Sequence, residues 1–259
     1  MPVKLSANLG FLYHELPLLE RIDAAAADGF PAVEFHWPYD IPLDVLKVRC
    51  DAVKVAVVGV NTVRGDISKG ENGLAALPGR EAEFAQAFTQ ALTYAKGLNA
   101  SGIHVMAGKT AGLDQAACRK TFLANLRRAS EEAEGSGVTL LLEALNRHDA
   151  PGYFYHTYEQ AAEVIAEAGA PNIKLMFDCY HAAIEGGDLV RRMEKLWPLI
   201  GHLQFAAVPD RGEPDEGEID YRFVLKRIAA LGWPGFVGAE YKPRSGTRAG
   251  LSWREACGV

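Results

Sequence analysis

Short apolar runs, each bounded by turn residues, recur along the chain and alternate with longer Ala-, Leu- and Glu-rich stretches. The apolar runs are KLSANL (4–9), AVEFHW (32–37), VKVAVVGVNT (53–62), GIHVMAG (102–108), VTLLLEALN (138–146), IKLMFDCYH (173–181), HLQFAAV (202–208) and GFVGAEYKP (235–243). Between them, LPLLERIDAAAADG, EAEFAQAFTQALTYAKGL, DQAACRKTFLANLRRASEEAEG and TYEQAAEVIAEAG keep the period of amphipathic helices. Several of these close on Gly, which readily ends a helix. The pattern predicts eight strands separated by helices.

Strands that are apolar almost throughout are buried on both faces, the condition of a parallel sheet covered by helices. Eight strand–helix units fit a closed (β/α)8 TIM barrel better than an open doubly wound sheet, and no GxGxxG follows the first strand. No linker, low-complexity tract or internal repeat interrupts the series, so residues 1–259 are expected to form a single TIM-barrel domain. The longest irregular segments, 62–80 and 209–220, both connect a strand to the next helix. In a barrel such loops lie at the C-terminal ends of the strands, where sites are built.

A composition 49% hydrophobic and 23% charged over 259 residues supplies a large core. A net charge of −6 and a pI near 5.7 argue against a broad nucleic-acid or anionic-membrane footprint. MPVKLSANLG lacks the features of a signal peptide and no run approaches the length of a membrane span, so the expected location is the cytoplasm. Cys50, Cys118, Cys179 and Cys257 show no metal or disulfide spacing and read as reduced thiols.

Glu143, Asp178, Gln204 and Glu240 fall at matching places in or just after the fifth to eighth apolar runs. Three carboxylates held together in a barrel mouth would repel one another and shift toward protonation unless a cation neutralised them. Three carboxylates and an amide oxygen form an all-oxygen set, suited to Mg2+ or Mn2+ and poor for zinc. A cation so held could bind two oxygens of a hydroxy-carbonyl substrate.

The chain resembles the hydroxypyruvate isomerase family of xylose-isomerase-like TIM barrels, including the related 2-oxo-tetronate isomerases. The likeness is carried by SANLGFLYHELPLLER, GDISKGENGLAALPGRE, IHVMAG, LLLEALNR, FDCYHAAIEGGDL, HLQFAAVPDRGEPDEGEIDY and GAEYKPRSGTRAGLSW. It implies that Glu143 and Glu240 are both metal ligands and the acid/base pair, with Asp178 and Gln204 as the other two ligands. Ketose epimerases of related type commonly carry His where this chain has Gln204, which favours the hydroxypyruvate isomerase branch. The implied reaction is hydroxypyruvate to tartronate semialdehyde through an enediol, in glyoxylate and carbohydrate-acid metabolism. NRHDAPGYF after Glu143 is closer to the 2-oxo-tetronate isomerases and makes 2-oxo-tetronate the second substrate. A ketose epimerase is a further alternative.

Other residues can be assigned two ways. His181 either donates to a substrate oxygen or is structural. Asn146 and Arg147 follow Glu143, and Arg147 either holds that glutamate or faces a loop carboxylate. Asp149 falls where the related epimerases place an acid near substrate. Arg211 could clamp a substrate carboxylate, a role for which Lys69, Lys242 and Arg244 compete. Trp37, Tyr39 and Trp233 read as packing or pocket walls, Glu34 as a loop anchor, and His104 as a residue of the mouth but not a ligand. A damaged-DNA endonuclease would need a His-rich metal cluster and a basic groove, and a non-catalytic sugar-acid binder would not need two glutamates. The partner expected is a small hydroxy-oxo acid, with no nucleic acid and no membrane. A homo-oligomer stays open, because LSWREACGV could pack across a subunit contact or onto its own barrel.

Overall fold

The computed structural model describes residues 3–259; Met1 and Pro2, part of the expected 1–259 domain, lie outside the described residues. One parallel sheet contains β1 (Lys4–Asn8), β2 (Ala32–Glu34), β3 (Ala56–Val57), β4 (Gly59–Asn61), β5 (Gly102–His104), β6 (Thr139–Leu142), β7 (Ile173–Asp178), β8 (Ile200–Phe205) and β9 (Phe236–Ala239). Their order is β3-β2-β1-β9-β8-β7-β6-β5-β4. The third predicted strand supplies both ends of that order. It breaks at Val58, so that β3 pairs with β2 and β4 with β5. Val58 donates its N–H to the Val33 carbonyl at 2.9 Å and accepts from Gly102 at 3.1 Å. The ninth strand is therefore half of the third, and the sheet closes into the expected barrel.

Helices Leu18–Ala27, Leu43–Val53, Glu81–Leu98, Gln115–Glu132, Tyr158–Ala168 and Tyr221–Ala230 follow strands in the alternating order that the sequence predicts. Their apolar stripes bury residues such as Ile22, Phe88, Phe122, Val164 and Ile228. After β7 the chain instead enters a helix at once, Cys179–Gly186, with the Asp178 carboxylate accepting from the Tyr180 N–H at 2.9 Å, before a second helix, Leu189–Leu196. At the C-terminus Trp253 is fully buried, donates to the Tyr241 hydroxyl at 2.9 Å and packs on Phe205. LSWREACGV thus folds back onto its own barrel. All four cysteines are buried free thiols. Among the described residues no helix is long and apolar enough to cross a membrane.

Both long loops are tied to the strand ends. In 62–80, Gly73 bridges Ala107 and donates to the Arg64 carbonyl at 2.8 Å. Gly73 has φ +122°, and a Cβ there would lie 2.5 Å from the Met106 carbonyl oxygen, so this crossing requires glycine. In 209–220, Arg211 adopts a left-handed φ of +58°, uncommon for a side-chain-bearing residue. Its N–H donates to Ala207 at 2.9 Å and its carbonyl accepts from Lys242 at 2.7 Å, which hold that conformation in place.

Candidate active site

Each of the four strand-end residues is buried: Glu143 just after β6, Asp178 at the end of β7, Gln204 within β8 and Glu240 just after β9. Asp178 lies opposite Gln204 in register, and Gln204 opposite Gly238. Glu143, Glu240, His181 and Arg211 line a cavity of about 390 Å³, whose wall includes Trp37 and Arg64. Gln204 opens instead on a separate cavity of about 10 Å³ shared with Asn8, Glu34 and His202.

The two glutamates sit in opposite electrostatic settings. Burial, then the Glu240 and Asp178 carboxylates, push Glu143 well above the ordinary carboxylate range. Burial likewise raises Asp178 to about 7, against the pull of Arg211. Burial also opposes ionisation of Glu240, but Arg211 and the His36 hydrogen bond outweigh it and bring Glu240 down to about 2. The geometry explains the difference: Glu240 Oε1 accepts from Asn8 at 2.9 Å and pairs with His36 Nε2 at 3.0 Å, while its Oε2 takes Arg211 Nη2 at 2.6 Å. Arg211 also lies 3.5 Å from both Asp178 and Asp149.

His181 Nε2 stands 3.7 Å from both Glu143 and Asp178, and ligand atoms of these three residues lie within 4.8 Å of one another. The His181 Nδ1 accepts from the Asn146 backbone N–H at 3.1 Å and faces the Asn146 amide nitrogen at 2.7 Å. Burial, then Arg211, hold this imidazole well below its ordinary pKa. A neutral ring that accepts at Nδ1 carries its proton on Nε2, so His181 presents a donor to the site rather than a metal-binding lone pair. Among the described residues, Glu143 Oε1, Asp178 Oδ2 and Gln204 Oε1 are buried without a hydrogen-bond partner. Three buried oxygens left unsatisfied at the ends of neighbouring strands fit a divalent cation and its preference for oxygen.

Residues 22–257 match the xylose isomerase-like TIM barrel family. The chain belongs to that family. It is 45% identical over 251 residues to the 2-oxo-tetronate isomerase of Cupriavidus necator, covering 96% of each chain. It is 38% identical over 254 residues to the hydroxypyruvate isomerase of Escherichia coli, covering 98% of each. The crystal structure of AP endonuclease, family 2 from Brucella melitensis superposes with a TM-score of 0.96 at 41% identity, covering 98% of both chains. Full-length likeness to isomerases agrees with the expected enzyme class within the xylose isomerase-like barrels.

Several residues singled out in the sequence lie elsewhere in this xylose isomerase-like barrel. Lys69 is exposed and pairs with Asp66 at 3.1 Å; Lys242 is exposed and does not line the cavity. Arg244 is bound by Glu213 at 2.6 Å and by Asp215 and Glu216 at 2.5 Å. Arg147 takes the loop-carboxylate alternative and pairs with Glu185 at 2.6 Å instead of reaching Glu143. All four lie in or beside the loops at the strand ends, but Lys69, Arg147 and Arg244 each go to a carboxylate that their own loop brings near. Asn146 and Asp149 do reach the site, and His104 lies 3.4 Å from Glu143, neutral because burial lowers it to about 4. Tyr39 donates to Asn61 at 2.5 Å and Trp233 to Phe236 at 3.0 Å, both packing roles.

Glu34 is no loop anchor. It is a buried carboxylate inside the barrel, approached by Ser6 at 2.5 Å, Asn8 at 3.4 Å, His202 at 3.0 Å and Gln204 at 2.8 Å. Burial opposes its ionisation, but His202 and Ser6 hold its pKa below the usual value. By accepting from the Gln204 Nε2, Glu34 fixes the amide so that its oxygen is the free atom. His36 and Asn8, absent from the expected set, also hold Glu240. The alternation of β1 and of AVEFHW was the available signal for both, since every second residue shares a face.

Proposed function

We propose that the protein is a metal-assisted isomerase of a short hydroxy-oxo acid, converting it to its neighbouring oxo isomer through an enediol. The observation that carries this reading is a pair of buried glutamates on one cavity, one favouring its proton and the other ionised. We rank the four-carbon 2-oxo-tetronate first, with the 45% identity to a 2-oxo-tetronate isomerase in support, and hydroxypyruvate, to tartronate semialdehyde, which the sequence reading put first, second. A cation, Mg2+ or Mn2+, held by Glu143, Asp178, Gln204 and Glu240 would supply positive charge to the two substrate oxygens.

In this scheme Glu240, ionised and fixed by Asn8, His36 and Arg211, removes the proton from the hydroxyl-bearing carbon and returns it to the adjacent carbon. Glu143, whose proton a bound cation would displace, would accept the proton leaving the hydroxyl oxygen and pass it to the carbonyl oxygen, while the His181 Nε2–H hydrogen-bonds the oxygen where negative charge develops. Arg211 orients Glu240 and balances the carboxylates around it. The test is incubation with Mg2+ or Mn2+ in D2O, offering 2-oxo-tetronate and hydroxypyruvate separately and following product and carbon-bound deuterium by NMR. Isomerisation of either acid with deuterium incorporation supports the reading. No turnover and no exchange with metal bound would sink it. An endonuclease is disfavoured by the net charge of −6 and by a cation site built from oxygens, with His181 beside it as a donor and no histidine-rich cluster among the described residues.

A further inference from the structure

A hydroxy-oxo acid carries a carboxylate that must be recognised, and the cavity wall contains three cations: Arg64, Lys109 and Arg211. Arg211 already faces Glu240, Asp178 and Asp149. Of the remaining acids on the wall, Glu71 is engaged by Arg80 at 2.7 Å, and Glu143 keeps an unpartnered oxygen but is not met by Arg64. Arg64 differs. Among the described residues its guanidinium meets no carboxylate, and it lies 4.1 Å over the ring of Trp37. Trp37 is itself held by its Nε1–H donating to the Thr62 carbonyl at 3.0 Å, and its ring lies 5.0 Å from that of His36, which contacts Glu240. The main chain at Arg64 is pinned by the Gly73 N–H at 2.8 Å.

We propose that Arg64, stacked on Trp37, is the residue that binds the carboxylate of the substrate and so selects acids over neutral sugars. A guanidinium held over the face of an indole by its central carbon can keep N–H groups free for a ligand, and its planar fork matches the two carboxylate oxygens. Stacking limits the rotamers that would otherwise have to be frozen on binding, which favours Arg64 over the unstacked ammonium of Lys109. The chain of contacts from Arg64 through Trp37 and His36 places this end of the substrate on the Glu240 wall. The inference rests on the isomerase reading for the substrate's identity, although the carboxylate subsite can be tested by itself.

The experiment is calorimetric titration of glycerate, a non-reacting hydroxy acid, into the Mn2+-treated protein and its Arg64→Ala, Arg64→Lys and Lys109→Ala variants, each checked for native circular dichroism. Arg64→Ala is expected to weaken glycerate about 10- to 100-fold, Arg64→Lys to fall between it and wild type, and Lys109→Ala to stay within about twofold. With a hydroxy-oxo acid that turns over, Arg64→Ala should raise KM by a similar factor and change kcat little. Glycerate binding unchanged in Arg64→Ala, lost instead in Lys109→Ala, or absent from the wild type would each overturn the proposal. Arg64-dependent glycerate binding without turnover of either acid would uphold the carboxylate subsite and refute the isomerase.

Discussion

Glu143 and Glu240 are the same residue type, at the ends of strands on one cavity, yet their surroundings drive them in opposite directions. Glu143 has two carboxylates as its strongest charged neighbours and an oxygen without a donor. Glu240 has an arginine, an imidazole and an amide on its two oxygens. Desolvation acts on both, so partners rather than burial divide the proton-holding group from the ionised one. Position in the fold supplies the pair, and the loop residue Arg211 differentiates it.

The sharpest way to break that comparison is to remove each carboxylate in turn. Glu240→Gln should lower turnover by roughly 10³- to 10⁴-fold and abolish deuterium entry at carbon. Glu143→Gln should lower product formation similarly while leaving exchange at carbon detectable by NMR; equal loss of exchange in both would remove the division of labour. Arg211→Ala should cost about 10²-fold in kcat/KM. Because Arg211 lowers the Glu240 pKa, the acid limb of the rate profile should also move to higher pH in that variant; an unmoved limb would show that Arg211 does not set the charge of Glu240.

Protons and metal compete for Glu143 and Asp178. Since both are raised, Asp178 to about 7, Mn2+ affinity should fall about tenfold per pH unit below 7 for each proton displaced, measurable by titration in buffers of different ionisation enthalpy. A smaller effect is expected from Gly238→Ala, whose added Cβ would lie 2.9 Å from the Gln204 Cγ and crowd the Glu34 carboxylate. It should destabilise the fold by about 1–3 kcal/mol in urea unfolding and weaken Mn2+ binding. Smallest is Arg147→Ala: its guanidinium is exposed, and the nearly buried Glu185 carboxylate keeps the Arg147 backbone N–H at 2.6 Å, so a loss of about 1 kcal/mol or less and turnover within about twofold are expected.

The strand ends were legible because apolar runs that stop at Glu143, Asp178 and Glu240 need a reason to bury charge. Gln204 was legible by its place in the seventh run. The break at Val58 was not, since VKVAVVGVNT is equally apolar on both sides of it. Glu34 and Arg147 show the limit from two directions. A strand's alternation tells which residues share a face, but which face turns inward depends on the closure of the ring, and this is where Glu34 meets Ser6, His202 and Gln204. Arg147 is adjacent to the site in sequence, but a long cation is placed by whichever acid its loop brings near. Arg64 carried no signal until the fold laid it on Trp37.

The carboxylate at the centre of the barrel also bears on how such a protein can change over time. Glu34 receives Ser6 and Asn8 from the adjacent β1 and Gln204 and His202 from β8 across the barrel interior, and Gly238 leaves the room that it and Gln204 occupy. Position 204 is therefore not an independent letter of the sequence: histidine there would withdraw the amide donor while bringing a larger ring beside Gly238. Because a histidine ring would have to offer its single N–H to Glu34 from a different position, an exchange at 204 is expected to be energetically coupled to Glu34 and Gly238 and not to act alone.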